Sequence, residues 1–221
     1  MPALRREREQ LSQALRRLAD SDLSPGSTGN ASLRIAGGML ISPTGLACNS
    51  INPGQLVVVD DQGQVPAGQL RPSSEWPMHQ AIYRAFPAAM GVVHCHSRYA
   101  TTLASLRKPI PPYHYMIAVA GGDSIPCADY ATFGTPELAA AIVQALQGRK
   151  ACLMANHGQI SYGASVDEAL SLALQVEDLA AGYYQCLNLG EPHLLSPTEM
   201  REVLDKFQGY GQQHDDADGR P

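Results

Sequence analysis

Gly91-Val92-Val93-His94-Cys95-His96 is the stretch on which the reading of this fold turns. Two valines and a cysteine set among two histidines read as a buried strand, and from residue 97 to 106 the pattern becomes helical. A second strand is expected over 150–155, ending at Asn156-His157-Gly158, and a long helix over 165–189, where apolar residues recur every three or four positions. Upstream lie short strand-like pieces at 31–35, 39–42 and 56–60. Turn chemistry punctuates them at Gly37-Gly38, Pro43-Thr44-Gly45 and Asn52-Pro53-Gly54. Residues 74–86 read as a helix with Ser74 as N-cap and Pro77 confined to the first turn. Residues 110–133 are irregular and rich in Pro and Gly, and 136–147 form another helix. Strands and helices mixed in this order, with no internal repeat and no linker, predict an α/β fold. It is a single domain over 1–211, a central mixed, mostly antiparallel sheet flanked by helices. The polar end, 212–221, carries Asp-Asp-Ala-Asp-Gly and is expected to be a flexible tail.

Composition narrows the function class. The 221 residues are 44% hydrophobic and 17% charged, with a formal net charge of −5, an ordinary globular balance. Residues 5–17 mix Arg with Glu, and Leu11, Leu15 and Leu18 stand at helical spacing, so this run is read as an amphipathic surface helix and not a nucleic-acid arm. No apolar stretch reaches the roughly 18 residues of a membrane span, and no signal peptide precedes the first helix. The five cysteines are scattered, odd in number and never spaced C-x-x-C, which argues against a disulfide framework and for the cytoplasm.

His94 and His96 stand two apart in a strand, so period two puts both imidazoles on one face, within reach of one metal ion. Asn156-His157-Gly158 offers a third nitrogen at the end of another strand. Three histidines with a vacant fourth position suit a catalytic zinc site. An H-x-H pair also suits a strand that simply buries its histidines, and spacing alone leaves both readings open. Cys95 lies between the pair, points to the opposite face and is read as core. Three loop segments supply groups that suit an anion: Ser27-Thr28-Gly29-Asn30, Ser42-Pro43-Thr44-Gly45 and Ser73-Ser74 before a helix start. Turns use the same residues for purely local reasons. Glu75 follows at that helix start, where it serves either the helix dipole or, beside a metal, as a base.

Together the segments Gly29-Asn30-Ala31-Ser32, Ile41-Ser42-Pro43-Thr44-Gly45, Pro72-Ser73-Ser74-Glu75-Trp76, Val92-Val93-His94-Cys95-His96 and Asn156-His157-Gly158 resemble the class II aldolase/adducin family. The run from His114-Tyr115-Met116 through Gly121-Gly122 and Ser124-Ile125-Pro126 to Tyr130-Ala131-Thr132-Phe133-Gly134 is similar to its L-fuculose 1-phosphate aldolase branch. The likeness extends in order to Lys206-Phe207-Gln208-Gly209-Tyr210-Gly211. It implies one Zn²⁺ per subunit on His94, His96 and His157, and a homotetramer with active sites at subunit boundaries. It further implies a substrate phosphate among Gly29, Asn30, Thr44, Gly45, Ser73 and Ser74. Glu75 would be the base and Tyr115 of a neighbouring subunit the acid, with Phe133 and Tyr210 shaping the aldehyde pocket. The implied reaction is reversible cleavage of a phosphorylated sugar, an L-fuculose 1-phosphate-like ketose 1-phosphate, to dihydroxyacetone phosphate and a small aldehyde such as lactaldehyde. The metal would act as Lewis acid for the charge left on the phosphate-bearing fragment.

Departures from the fuculose pattern are Ala155 before Asn156, Cys95 between the ligands and Asp129 before Tyr130. They leave room for an aldolase of 5-deoxyribulose 1-phosphate or 5-methylthioribulose 1-phosphate. A ribulose-5-phosphate 4-epimerase and a non-catalytic adducin-like module are more distant alternatives.

Overall fold

The computed structural model describes residues 4–24 and 28–207. Its first helix, α1 (Arg5–Asp20), turns Leu11, Ala14, Leu15 and Leu18 into the protein. The outer face is pinned by Arg8, which donates to the Pro53 and Leu56 carbonyls at 3.0 and 2.7 Å, and by an Arg17–Asp167 ion pair. Among the described residues seven strands follow: β1 (Asn30–Ile35), β2 (Gly38–Ile41), β3 (Val57–Asp60), β4 (Gly91–Cys95), β5 (Cys127–Ala128), β6 (Ala151–Met154) and β7 (Gly158–Gly163). They form one sheet in the order β3-β2-β1-β4-β7-β6-β5, antiparallel except for the β5–β6 pair. The mixed, mostly antiparallel sheet expected from the sequence is therefore present, with β4 at its centre.

Pleating sorts β4 as period two requires. Val93 and Cys95 enter a cluster with α1 and the start of α5 (Val166–Leu189). Val92 enters the opposite cluster, with α2 (Trp76–Ala85) and α4 (Pro136–Ala145). Cys95 is fully buried, and burial pushes its thiol up to about 12, which suits a core residue and not a thiolate ligand. A third cluster joins α3 (Arg98–Ser105), the middle of α5 and α6 (Pro197–Phe207) beneath the far end of the sheet.

Three elements, β5, β7 and α6, have no counterpart among the expected ones, β5 being a two-residue strand inside the stretch read as irregular. β7 begins at Gly158 itself, and its polar residues Gln159 and Ser161 disguise an interior strand: both are buried and hydrogen-bonded to α5. α6 is short, polar on its exposed faces and buries only Met200 completely. Ser74 does not cap α2. The helix starts one residue later than that cap would require, and it is the Ser73 hydroxyl that accepts the Glu75 N–H, at 3.3 Å. Ser165 does cap α5, accepting from Glu168 N. No helix among the described residues is long and apolar enough to cross a membrane. The expected tail at 212–221 lies outside the described residues.

The α1 core gives a direct stability test. Leu15 is fully buried against the sheet, and Leu15→Ala is expected to cost about 2–5 kcal/mol through lost burial and the cavity left behind. Urea unfolding at fixed protein concentration measures it; a midpoint equal to wild type would show α1 to be dispensable.

Candidate active site

The register of the sheet builds the site. In the β1–β4 pair Asn30 lies directly opposite His94 and Ser32 opposite Val92, so Asn30, Ser32 and His94 share the face on which α2 packs. His96 follows just beyond the end of β4. His157 comes from the tight turn between β6 and β7. There Asn156 takes a left-handed backbone, φ 54°, which asparagine tolerates better than most residues, and its Oδ1 accepts from Arg107 Nε at 2.9 Å. Gly158 is required by crowding: a Cβ there would stand 2.5 Å from the Cys95 carbonyl oxygen and 3.0 Å from the His96 ring.

The three imidazoles meet edge to face with near-threefold regularity. Their centroids are 4.8–5.0 Å apart and their planes 69–71° from one another. One ligand nitrogen from each lies within 4.8 Å of the others, and His94 Nε2 is 3.0 Å from His96 Nε2. His94 Nδ1–H donates to the Gln159 carbonyl at 2.8 Å, a group that can only accept, so in the neutral ring Nε2 is the nitrogen free to ligate; burial opposes a charge on this ring, but the Glu75 carboxylate beside it raises its pKa overall. That carbonyl is itself held firmly, because the Gln159 side chain ties β7 to Ser97 and to Ala173 of α5.

Glu75 closes the group at the start of α2. Its Oε1 is 3.0 Å from His157 Nε2 and its Oε2 is 3.3 Å from His94 Nε2. Burial alone would raise this carboxyl, but the charges and hydrogen bonds of His94 and His157 hold it well below the usual carboxylate range. Burial pushes His96 down to about 4, aided by its two neighbours, so this imidazole is neutral and able to ligate. Three convergent imidazole nitrogens with an adjacent carboxylate suit a borderline divalent ion such as zinc, cobalt or nickel. The donor set fits a metal that keeps open positions for substrate.

The anion-binding segments are brought together beside Glu75 by backbone pairing. Ser73 N donates to the Ser42 carbonyl at 2.9 Å, Thr44 N to the Arg71 carbonyl at 3.1 Å, and Ser42 N to the Ala31 carbonyl at 3.2 Å. Segments 28–31, 42–45 and 71–75 are thus contiguous, with Thr44, Gly45 and Ser74 exposed and Ser73 buried. Gly29 has φ 84°, and a Cβ at that position would stand 2.1 Å from Ser24 Oγ, so both backbone angle and space call for glycine. Ser27 lies outside the described residues. Asn30 faces inward: its Nδ2 donates to Glu75 Oε2 at 2.8 Å and its Oδ1 contacts His79 Nε2 at 2.6 Å.

A cleft of about 340 Å³ opens over Glu75, His96 and His157, with Ser74 on one side and Tyr130 and Phe133 on the other. Phe133 is 63% exposed, a ring at the rim and not a core residue. Tyr115 does not line this cleft; it sits half-exposed on the helical turn Tyr115–Ala120 beside α5 and α6. Tyr210 lies outside the described residues. Tyr130, Asn156 and His79 are the site-side residues that the sequence reading did not single out as functional.

Comparison with known proteins gives a consistent set of likenesses. Residues 9–184 match the model of the family described as Class II Aldolase and Adducin N-terminal domain. The chain is 44% identical over 204 residues to the 5-methylthioribulose-1-phosphate/5-deoxyribulose-1-phosphate aldolase of Rhodospirillum rubrum, covering 92% of each. It is 45% identical over 190 residues to the L-fuculose phosphate aldolase of Escherichia coli K12, covering 86% of this chain and 88% of that one. A solved L-fuculose 1-phosphate aldolase superposes with a TM-score of 0.87 at 38% identity, over 91% of this chain and 95% of that one.

Proposed function

This chain belongs to the class II aldolase and adducin family, and on that premise we propose that it cleaves a ketose 1-phosphate to dihydroxyacetone phosphate and a small aldehyde, reversibly and with zinc. It is a class II aldolase, a carbon–carbon lyase. The observation that carries the finer reading is the convergence of His94, His96 and His157 on one point beside the Glu75 carboxylate.

A divalent ion held by these imidazoles supplies, when bound, Lewis-acid polarisation of the substrate's carbonyl oxygen. The protein's own groups do the rest. Segments 28–31, 42–45 and 71–75 bind the phosphate through backbone N–H groups and the Thr44, Ser73 and Ser74 hydroxyls. Glu75 exchanges the proton on the hydroxyl-bearing carbon alpha to the carbonyl of dihydroxyacetone phosphate, removing it in the synthetic direction and returning it after cleavage. Tyr115 of a neighbouring subunit protonates the aldehyde oxygen as the new bond forms. This role fits its half-exposed position and its absence from the cleft of its own chain, and it calls for an oligomer, the homotetramer of our reading. Phe133, Tyr130 and, from outside the described residues, Tyr210 bound the aldehyde end. The scattered, odd-numbered cysteines fit a cytoplasmic enzyme.

L-Fuculose 1-phosphate is the substrate we favour, on the Escherichia coli relative and the matching run around Tyr115 and Phe133. The Rhodospirillum rubrum relative supports a second reading, in which the aldehyde released is the shorter fragment of 5-deoxyribulose 1-phosphate or its methylthio counterpart. The phosphate-bearing half is the same in both, so the test separates them at the aldehyde end. Dihydroxyacetone phosphate release is measured by a coupled assay with L-fuculose 1-phosphate and 5-deoxyribulose 1-phosphate side by side, with and without chelator. Chelator-sensitive release is expected from at least one, and the higher kcat/KM identifies the aldehyde. Metal-loaded enzyme that releases dihydroxyacetone phosphate from neither would overturn the reading in favour of an epimerase or an interaction module.

A further inference from the structure

We propose that His79 is a positioning residue at the centre of a one-way hydrogen-bond relay, Tyr83–Ser32–His79–Asn30, that fixes the orientation of the Glu75 carboxylate. The inference rests on the reading of Glu75 as the proton-transferring base and goes beyond it by assigning what aims that base.

The direction of the relay follows from the carboxylate outward. Glu75 Oε2 can only accept, so the Asn30 group 2.8 Å from it is the amide Nδ2–H. Asn30 Oδ1 then faces His79 Nε2 at 2.6 Å, and because that oxygen only accepts, Nε2 carries the hydrogen. A neutral imidazole with Nε2–H has a bare Nδ1, which accepts from Ser32 Oγ–H at 2.7 Å. The single Ser32 hydrogen is then committed, so the Tyr83 hydroxyl must donate to Ser32 Oγ, at 2.8 Å. Every donor points towards Glu75. Burial pushes His79 down to about 3, which keeps it neutral and leaves this tautomer in place across the working pH range.

The arrangement is buried and paired along its length. Ser32 and His79 are completely buried, and Asn30, Tyr83 and Glu75 are no more than 9% exposed. The flanking residues on α2, Met78 and Ile82, are ordinary core. An apolar residue at 79 would leave the Ser32 hydroxyl and the Asn30 carboxamide oxygen buried without this partner, so His79 belongs to a polar chain that ends on Glu75. Asn30 anchors Oε2 while Oε1 lies 3.0 Å from His157 Nε2, and the two contacts together set the plane of the carboxylate. No proton travels along the relay. Its contribution is the preorganisation of a base, whose misplacement by an ångström or less is costly.

Two amide replacements distinguish aiming from packing. Glutamine places its amide nitrogen near the position of His79 Nε2 and preserves the donor to Asn30. Asparagine, similar in polarity, places its amide near Nδ1 and cannot reach Asn30. The readout is deuterium exchange into dihydroxyacetone phosphate in D₂O without aldehyde, followed by proton NMR on metal-loaded enzyme, with KM and metal content measured alongside. His79→Gln is expected to keep the exchange kcat within about 3-fold of wild type, and His79→Asn to lower it about 10- to 100-fold, the range typical of groups that orient reactive ones. KM and metal content should hold in both.

Equal loss in the two variants, no loss in His79→Asn, or a change confined to KM would overturn the relay, while loss of exchange in Glu75→Gln separately upholds Glu75 as base. Absence of exchange in wild type would remove the base reading and the relay with it. Should both variants fail to fold, ¹⁵N NMR of histidine-labelled wild-type enzyme decides: the relay requires the Nε2–H tautomer at His79, and Nδ1–H would overturn it.

Discussion

Replacing His157 by alanine is expected to abolish both metal retention and cleavage. The partly buried imidazole of His157 contributes one of three convergent nitrogens and touches Glu75 Oε1. Two imidazoles on β4 and its exit cannot enclose an ion that a third, from the β6–β7 turn, is placed to complete. Zinc sites with three protein ligands lose affinity steeply when one is removed, because the remaining donors no longer span the coordination sphere. His94→Ala should have the same outcome, with an added fold cost, since His94 is fully buried and its Nδ1–H satisfies the Gln159 carbonyl. His157→Ala is therefore the cleaner of the two. Metal analysis after dialysis and the coupled dihydroxyacetone phosphate assay measure both effects. A His157→Ala enzyme that holds stoichiometric metal and cleaves substrate would displace the proposed centre.

Glu75→Gln is expected to separate metal binding from chemistry. The amide keeps the volume of the carboxylate and the three ligand nitrogens are untouched, so metal content should remain at wild-type level. The lost function is proton transfer, for which positioned bases contribute about 10²- to 10⁴-fold. A loss of that size is expected in kcat for cleavage and for deuterium exchange alike. The relay sharpens the expectation: Asn30 Nδ2–H, aimed at an acceptor in the native protein, meets either an amide oxygen or an amide N–H in the variant. Full activity of Glu75→Gln would take Glu75 out of the mechanism and leave its place at the N-terminus of α2 as a favourable charge–dipole contact.

The two predictions differ in what they probe. His157→Ala tests whether the convergence of imidazoles is a metal site; Glu75→Gln tests whether the adjacent carboxylate acts on substrate. A chain that passed the first and not the second would be a metal-dependent lyase whose proton-transferring base is a group other than Glu75.

Much of the site was legible along the chain. His94 and His96 at period two on a strand of valines, Asn156-His157-Gly158 at the end of another, and Glu75 at a helix start were all readable as local patterns. The His79 relay was not singled out in the sequence, although its spacing is regular. His79 and Tyr83 stand four apart on α2, with Glu75 four residues before His79 at the N-cap, and Asn30 and Ser32 stand two apart on β1, so each set shares a face. β7 escaped because strand assignment leans on apolar alternation, and in β7 Gln159 and Ser161 are polar and yet buried. α6 escaped because its inward face is narrow and Met200 alone is fully covered.

The sequence by itself determined the identity of the reactive groups, their local geometry on strand, turn and helix, and the family to which the chain belongs. The tertiary structure alone decided which of them meet. Asn30 reaches Glu75 across 45 positions and His79 across 49, while His94 finds the Gln159 carbonyl across 65. Those meetings depend on the register that sets Asn30 opposite His94 and on the packing of α2 over that face. Local periodicity fixes which way a side chain points from its own element. Which element lies opposite follows from the burial of whole faces at once, and no short stretch of residues encodes that.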